Sequence, residues 1–153
     1  MKISNNLKLK GRVHFDVKDV KTGKILQTFD DHNLIVNGAL LATVKLLGNT
    51  QSPSPITKIG FGTSATQPNY TDLSLANPYV KNLSDVHIES NNTSVTFDFV
   101  LGTDEDNGVT INELGLMCTD GTLFARRVLP SPVIKNVNVA LEGTWTITIA
   151  QGE

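Results

Sequence analysis

The stretch "INELGLMCTDGTLFARRVL", residues 111–129, decides how this chain folds. Two runs rich in apolar residues flank Asp120-Gly121, a dipeptide favoured in two-residue hairpin loops because both central residues there need positive φ. Such a loop sets Thr119 opposite Thr122, Met117 opposite Phe124 and Glu113 opposite Val128. Side chains alternate faces along a strand, so Ile111, Glu113, Gly115, Met117, Phe124, Arg126 and Val128 share one face. Leu114, Leu116, Cys118, Leu123, Ala125, Arg127 and Leu129 share the other. Glu113 is then diagonal to Arg126, within reach of a cross-strand ion pair that fixes register. Both faces carry apolar groups, unlike a sheet with one wet surface. One face belongs to the core; the other needs cover from more of this chain or from another subunit.

Working outward, the same alternation recurs. Leu7, Leu9, Val13, Phe15 and Val17 mark a strand broken only at Gly11, where a bulge is expected. A three-residue loop of Lys21, Thr22 and Gly23 sets Phe15 opposite Phe29, giving an N-terminal hairpin over 7–36. "NGALLATVKLLGN" predicts a short amphipathic helix near 38–47, within an element spanning 37–48. Asn37 is its cap, Leu40, Leu41, Val44 and Leu47 form its apolar stripe against a sheet, and Gly48-Asn49 is its stop. "TQSPSP" at 50–55 is a proline-punctuated connection, followed by the strand "ITKIGFG" and a polar loop over 62–79 with Pro68 and Pro78. Loops of that length in compact domains are often functional. Strands return at 83–90 and 93–101, and "VNVALEGTWTITIA" places Trp145, Ile147 and Ile149 on one face and Thr144, Thr146 and Thr148 on the other. The expected fold is all-β, an antiparallel β-sandwich of about seven or eight strands with one helix, forming a single domain over 1–153.

The totals narrow the function classes. At 153 residues the chain can bury a sizeable core, and neither a disulfide nor a metal is needed for stability. The single cysteine, Cys118, reads as a small buried apolar group. "MKISNNLKLK" lacks the apolar region of a secretory signal, and no run is long and apolar enough to span a bilayer, so synthesis in a cytoplasm without membrane insertion is expected. A net charge of -2 argues against a nucleic-acid grip. Lys2, Lys8, Lys10 and Arg12 alternate with apolar positions and read as a solvated basic face.

No chemistry-bearing constellation stands out. His14, His32 and His87 lack metal-ligand spacing, so neither a metal nor a cofactor is expected. "DEDNG" at 104–108 starts like a calcium loop but lacks its closing glutamate, and reads as an acidic turn. "GFGTS" at 60–64 opens into a proline-containing loop and not a helix, so it is no phosphate cradle. No catalytic residue is assigned.

Four segments in order, "HNLIVNGALLATVKLLG", "ITKIGFGTSATQP…TDLSL", "INELGLMCTDGTLFARRVL" and "LEGTWTITI", resemble a group of small bacteriophage virion proteins. The shared pattern is a strand and helix joined by Asn-Gly, a Gly-x-Gly-Thr loop with Pro and Thr-Asp, a Glu-x-Gly-Leu strand, an Ala-Arg strand and a terminal β-branched strand. It covers residues 32–149 and leaves Lys8–Phe29 as an added element. The resemblance implies a non-enzymatic structural protein located in the virion, in the tail, fibre-attachment or baseplate region. Its partners would be copies of itself, as a trimer or hexamer, and other virion proteins, with Glu113, Arg126 and Arg127 as an interface or structural ion pair. Two alternatives stand beside it: a capsid decoration or head-fibre protein, and a host-surface glycan-binding module using Tyr70 and Tyr79.

Overall fold

Period-two alternation becomes two antiparallel sheets in the computed structural model, which describes residues 6–49 and 52–152. Lys2 of the basic stretch and Thr50-Gln51 of the proline-punctuated connection lie outside those residues. In chain order the strands are β1 (Leu7–Asp19), β2 (Ile25–His32), β3 (Leu34–Ile35), β4 (Ile56–Gly62), β5 (Tyr79–Asn82), β6 (Asp85–Ile88), β7 (Ser94–Leu101), β8 (Thr110–Cys118), β9 (Leu123–Ile134) and β10 (Val139–Gln151). The helix α1 spans Gly38–Gly48. One sheet has the order β2-β1-β10-β7-β6 and the other β3-β9-β8-β4-β5. The fold is the expected all-β sandwich. The strand expected at 83–90 is shorter, because the chain leaves β5 in the second sheet and enters β6 in the first within two residues.

The core lies between the sheets. Val13, Phe15 and Val17 from β1, Phe97 and Phe99 from β7, and Trp145 and Ile147 from β10 meet Phe61, Leu114, Leu116 and Ala125 of the opposite sheet. Ile149, expected on the same face as Trp145, lies beyond this core and is about half exposed. Cys118 is buried with them, and that burial pushes its thiol up to about 11. β1 is an interior strand, paired to β10 without a break from Leu7–Gln151 to Asp19–Val139. Gly11 makes no bulge in that ladder. Its missing side chain leaves room for Asn33, whose Oδ1 accepts the indole N–H of buried Trp145 at 2.8 Å.

Both expected hairpins keep their distant register while their turns differ. In the first, Asp19 and Lys24 close a loop of Val20–Gly23, with Gly23 at φ 71°. A bulge near Leu26 then restores Phe15 opposite Phe29, whose rings stack with centroids 5.3 Å apart. In the second, Cys118 exchanges backbone hydrogen bonds with Gly121 and Thr122, so the loop is Thr119-Asp120-Gly121. Gly121 takes positive φ and Asp120 does not, which rules out the two-residue type. Met117 therefore pairs with Leu123 and not Phe124. A bulge at Phe124 restores Glu113 opposite Val128 and turns Phe124 into the core, leaving Leu123 on the outer face against Val36 and Leu75. A further shift between Ile111 and Glu113 turns Ile111 inward as well.

Helix α1 occupies the expected span, yet its apolar stripe points outward. Ala39 and Ala42 face the core, while Leu40, Leu41, Val44 and Leu47 are 62%, 54%, 65% and 83% exposed. The reason is close approach: a side chain on Gly38 would strike the Leu123 carbonyl, so only small residues fit between helix and sheet. Asn37 holds the N-cap position without a side-chain cap bond; its N–H donates to the Tyr70 carbonyl instead. Asn49 ends the helix in the left-handed region.

Candidate interaction surface

The outer face of the β8–β9 hairpin is covered by this chain itself, through residues 63–78 between β4 and β5. Glu113, 1% exposed, organises the cover. Its Oε1 accepts the N–H groups of Ser64 at 3.1 Å and Ala76 at 2.7 Å, and its Oε2 accepts Arg126 Nε at 2.6 Å. Arg126, 3% exposed, donates through its other nitrogens to Asp72 Oδ2 at 2.8 Å and to the Thr66 carbonyl at 3.0 Å. One carbonyl and two carboxylates thus meet one guanidinium, two backbone amides complete the Glu113 carboxylate, and every charge has a partner. Leu75 plugs into the hairpin beside Leu123 and Val36. An open depression of about 300 Å³ is lined by Ser64, Asp72 and Ala76 of this loop and by Glu113 and Arg126.

Three glycines make this packing possible. A side chain on Gly62 would lie 2.5 Å from Glu113 Oε1, and side chains on Gly60 or Gly115 would strike Leu75. The short motifs Gly-x-Gly-Thr, Thr-Asp, Glu-x-Gly-Leu and Ala-Arg, scattered from residue 60 to residue 126, therefore form one physical unit. Sequence reasoning paired Glu113 with Arg126 but missed Asp72, although the Thr71-Asp72 motif pointed to it.

Arg127 serves a different purpose. Its guanidinium donates to Asp31 Oδ2 at 2.8 Å and sits 5.4 Å from the centroid of Phe29, tying β9 to β2 across the sandwich edge. Glu in its place would face Asp31, so Arg127→Glu would disturb the folded chain as well as any assembly. Tyr70 is exposed beside the start of α1, with Leu73 in the same loop 82% exposed. Tyr79 lies on β5 with its hydroxyl on Glu105 Oε1 at 3.3 Å.

The acidic turn at 104–108 wraps a cation supplied by the chain. Lys135 is fully buried, and its Nζ donates to Asn107 Oδ1 at 2.9 Å and to the Asn136 carbonyl at 3.2 Å. Burial lowers the pKa of this ammonium, against the opposing pull of Asp106, Glu105 and Asp104. Burial likewise raises the Asp106 carboxyl.

One open apolar surface is the outward side of α1. Its four residues amount to about two and a half fully exposed side chains, or roughly 260 Å² of apolar area if a leucine side chain presents about 100 Å². Among the described residues no helix is long and apolar enough to cross a membrane. No protein-family model, curated protein or solved structure matches this chain.

Proposed function

We propose that this chain is a non-enzymatic structural protein of a bacteriophage particle, of the tail, fibre-attachment or baseplate region. It assembles with copies of itself, as a trimer or hexamer, and with other virion proteins. The observation that carries the reading is the outward apolar face of α1 on a rigid sandwich. Copies meeting through this face around a symmetry axis would each bury roughly 260 Å² of apolar surface, a hydrophobic centre that flanking contacts extend to the roughly 1,000 Å² or more of a specific interface. The resemblance supports the same reading: its motif residues are those that pin the 63–78 loop and seat α1 against the hairpin.

Light scattering over a range of concentration tests this. The native chain should give a fixed oligomer, and the double variant Leu40→Lys/Val44→Lys a folded monomer with unchanged circular dichroism. A native chain that stays monomeric at all concentrations would refute self-assembly through α1. Binding to purified head particles and not to tails would move the protein to the capsid, as a decoration or head-fibre component.

A further inference from the structure

Strand register brings Asp98 beside Asp85 and His87, three metal-ligating side chains from two strands. On the outward face of the β2-β1-β10-β7-β6 sheet, Asp85 of edge strand β6 pairs directly with Asp98 of β7, and His87 is diagonal to Asp98. One ligand atom from each of the three lies within 4.8 Å of the other two. Like charges directly opposite on a sheet repel. Among the described residues no lysine or arginine pairs with either carboxylate. His87 is the nearby side chain, with Nδ1 3.7 Å from Asp85 Oδ2. Asp98 is half-buried, and its enclosed Oδ1 has no hydrogen-bond partner.

The far side of the imidazole is already oriented. His87 Nε2 lies 3.2 Å from Glu89 Oε1, and Glu89 accepts a hydrogen bond from Thr96 Oγ1, which also contacts Thr146 Oγ1. A carboxylate on Nε2 holds the proton there and leaves the Nδ1 lone pair facing Asp85 and Asp98. Carboxylate-backed histidines of this kind are the usual form of an imidazole metal ligand.

We propose that Asp85, His87 and Asp98 bind a divalent first-row cation of the zinc type, His87 through Nδ1, with Glu89 as the positioning residue. One imidazole nitrogen and two carboxylate oxygens suit such an ion, and water completes the coordination on the open edge. Bonds of about 2.1 Å place tetrahedral ligands roughly 3.4 Å apart, so a 4.8 Å cluster closes by small rotations of the exposed Asp85 and His87 side chains. The ion would neutralise the facing aspartates and clamp the four-residue edge strand β6 to β7. No metal was expected from the sequence because its ligands come from two strands related only by pairing.

The test is calorimetric titration of Zn²⁺ into the full chain after chelator treatment, with thermal melts alongside. One ion per chain is expected, with a raised melting temperature. His87→Gln should abolish binding, so that Zn²⁺ no longer raises its melting temperature. Glu89→Gln should weaken binding by about 10 to 100-fold. Absence of Zn²⁺ binding to the native chain would overturn the proposal. So would binding that survives His87→Gln, since the ion would then sit at another histidine. Undiminished affinity in Glu89→Gln would remove Glu89 from its role.

Discussion

Replacing Glu113 with glutamine keeps the shape of the side chain and removes the charge that joins Ser64, Ala76 and Arg126. The carboxylate receives donors on both oxygens, from two backbone amides on Oε1 and from the guanidinium on Oε2. Glutamine keeps one acceptor, so its NH₂ must face a donor on one side, leaving a buried N–H or a buried guanidinium edge unsatisfied. Breaking a buried pair costs roughly 3–5 kcal/mol. Arg126 still holds Asp72 at 2.8 Å, which favours the lower end, about 3 kcal/mol. For a chain of this length each kcal/mol moves Tm by about 2–4 °C, so the midpoint should fall by about 6–12 °C. Differential scanning calorimetry measures the fall, and amide hydrogen exchange at Ser64 and Ala76 shows whether the 63–78 loop loosens with it. A change below about 2 °C with both amides still protected would refute the reasoning, because the network would then contribute no more than an ordinary surface pair.

Two further predictions concern the sandwich itself. Lys81 donates to both oxygens of Glu105 at 2.6 and 2.7 Å. Burial raises the Glu105 carboxyl, but the Lys81 hydrogen bond, the Gly102 N–H and the lysine charge outweigh it and hold the group below its ordinary 4.5. A lowered carboxyl contributes stability that is complete above 4.5 and disappears as pH falls through the folded value. Lys81→Met should therefore cost about 1 kcal/mol at neutral pH, and its urea-unfolding gap to the native chain should close in acid; a gap independent of pH would exclude this linkage. Gly143 of β10 faces Phe15, and a side chain there would strike both the His14 carbonyl and the Phe15 backbone, which cannot swing aside. Gly143→Ala should lower stability by about 3 kcal/mol or more, and an unchanged denaturation midpoint would show that the β1–β10 ladder yields at that point.

The elements that were legible in the sequence are those carried by local periodicity. Alternation in β1, β7 and β10 follows from burial of one face of each strand, and a one-residue slip would send every apolar side chain to the wrong side. That is why Phe15 meets Phe29 and Glu113 meets Val128 even though both turns differ from expectation. Turn geometry is cheap to vary, and a single bulge absorbs the difference. The Glu113–Arg126 pair was legible for the same reason: it is fixed by register within one hairpin.

What only the tertiary structure decided depends on contacts that no window of sequence contains. The stripe of α1 reads as a buried face, but its direction is set by steric room at Gly38, Ala39 and Ala42 against the Leu123 backbone, so the leucines turn outward. Arg126 gains Asp72 because the 63–78 loop folds back over the hairpin, and Lys135 fills the acidic turn because β9 runs past it. Asp98 joins Asp85 and His87 through β6–β7 pairing alone. The sequence by itself determined which residues alternate and therefore that the chain forms sheets; how the sheets, the loop and the helix cover one another was decided by volume and charge pairing across distant segments, where a missing methyl group or one buried carboxylate outweighs local preference.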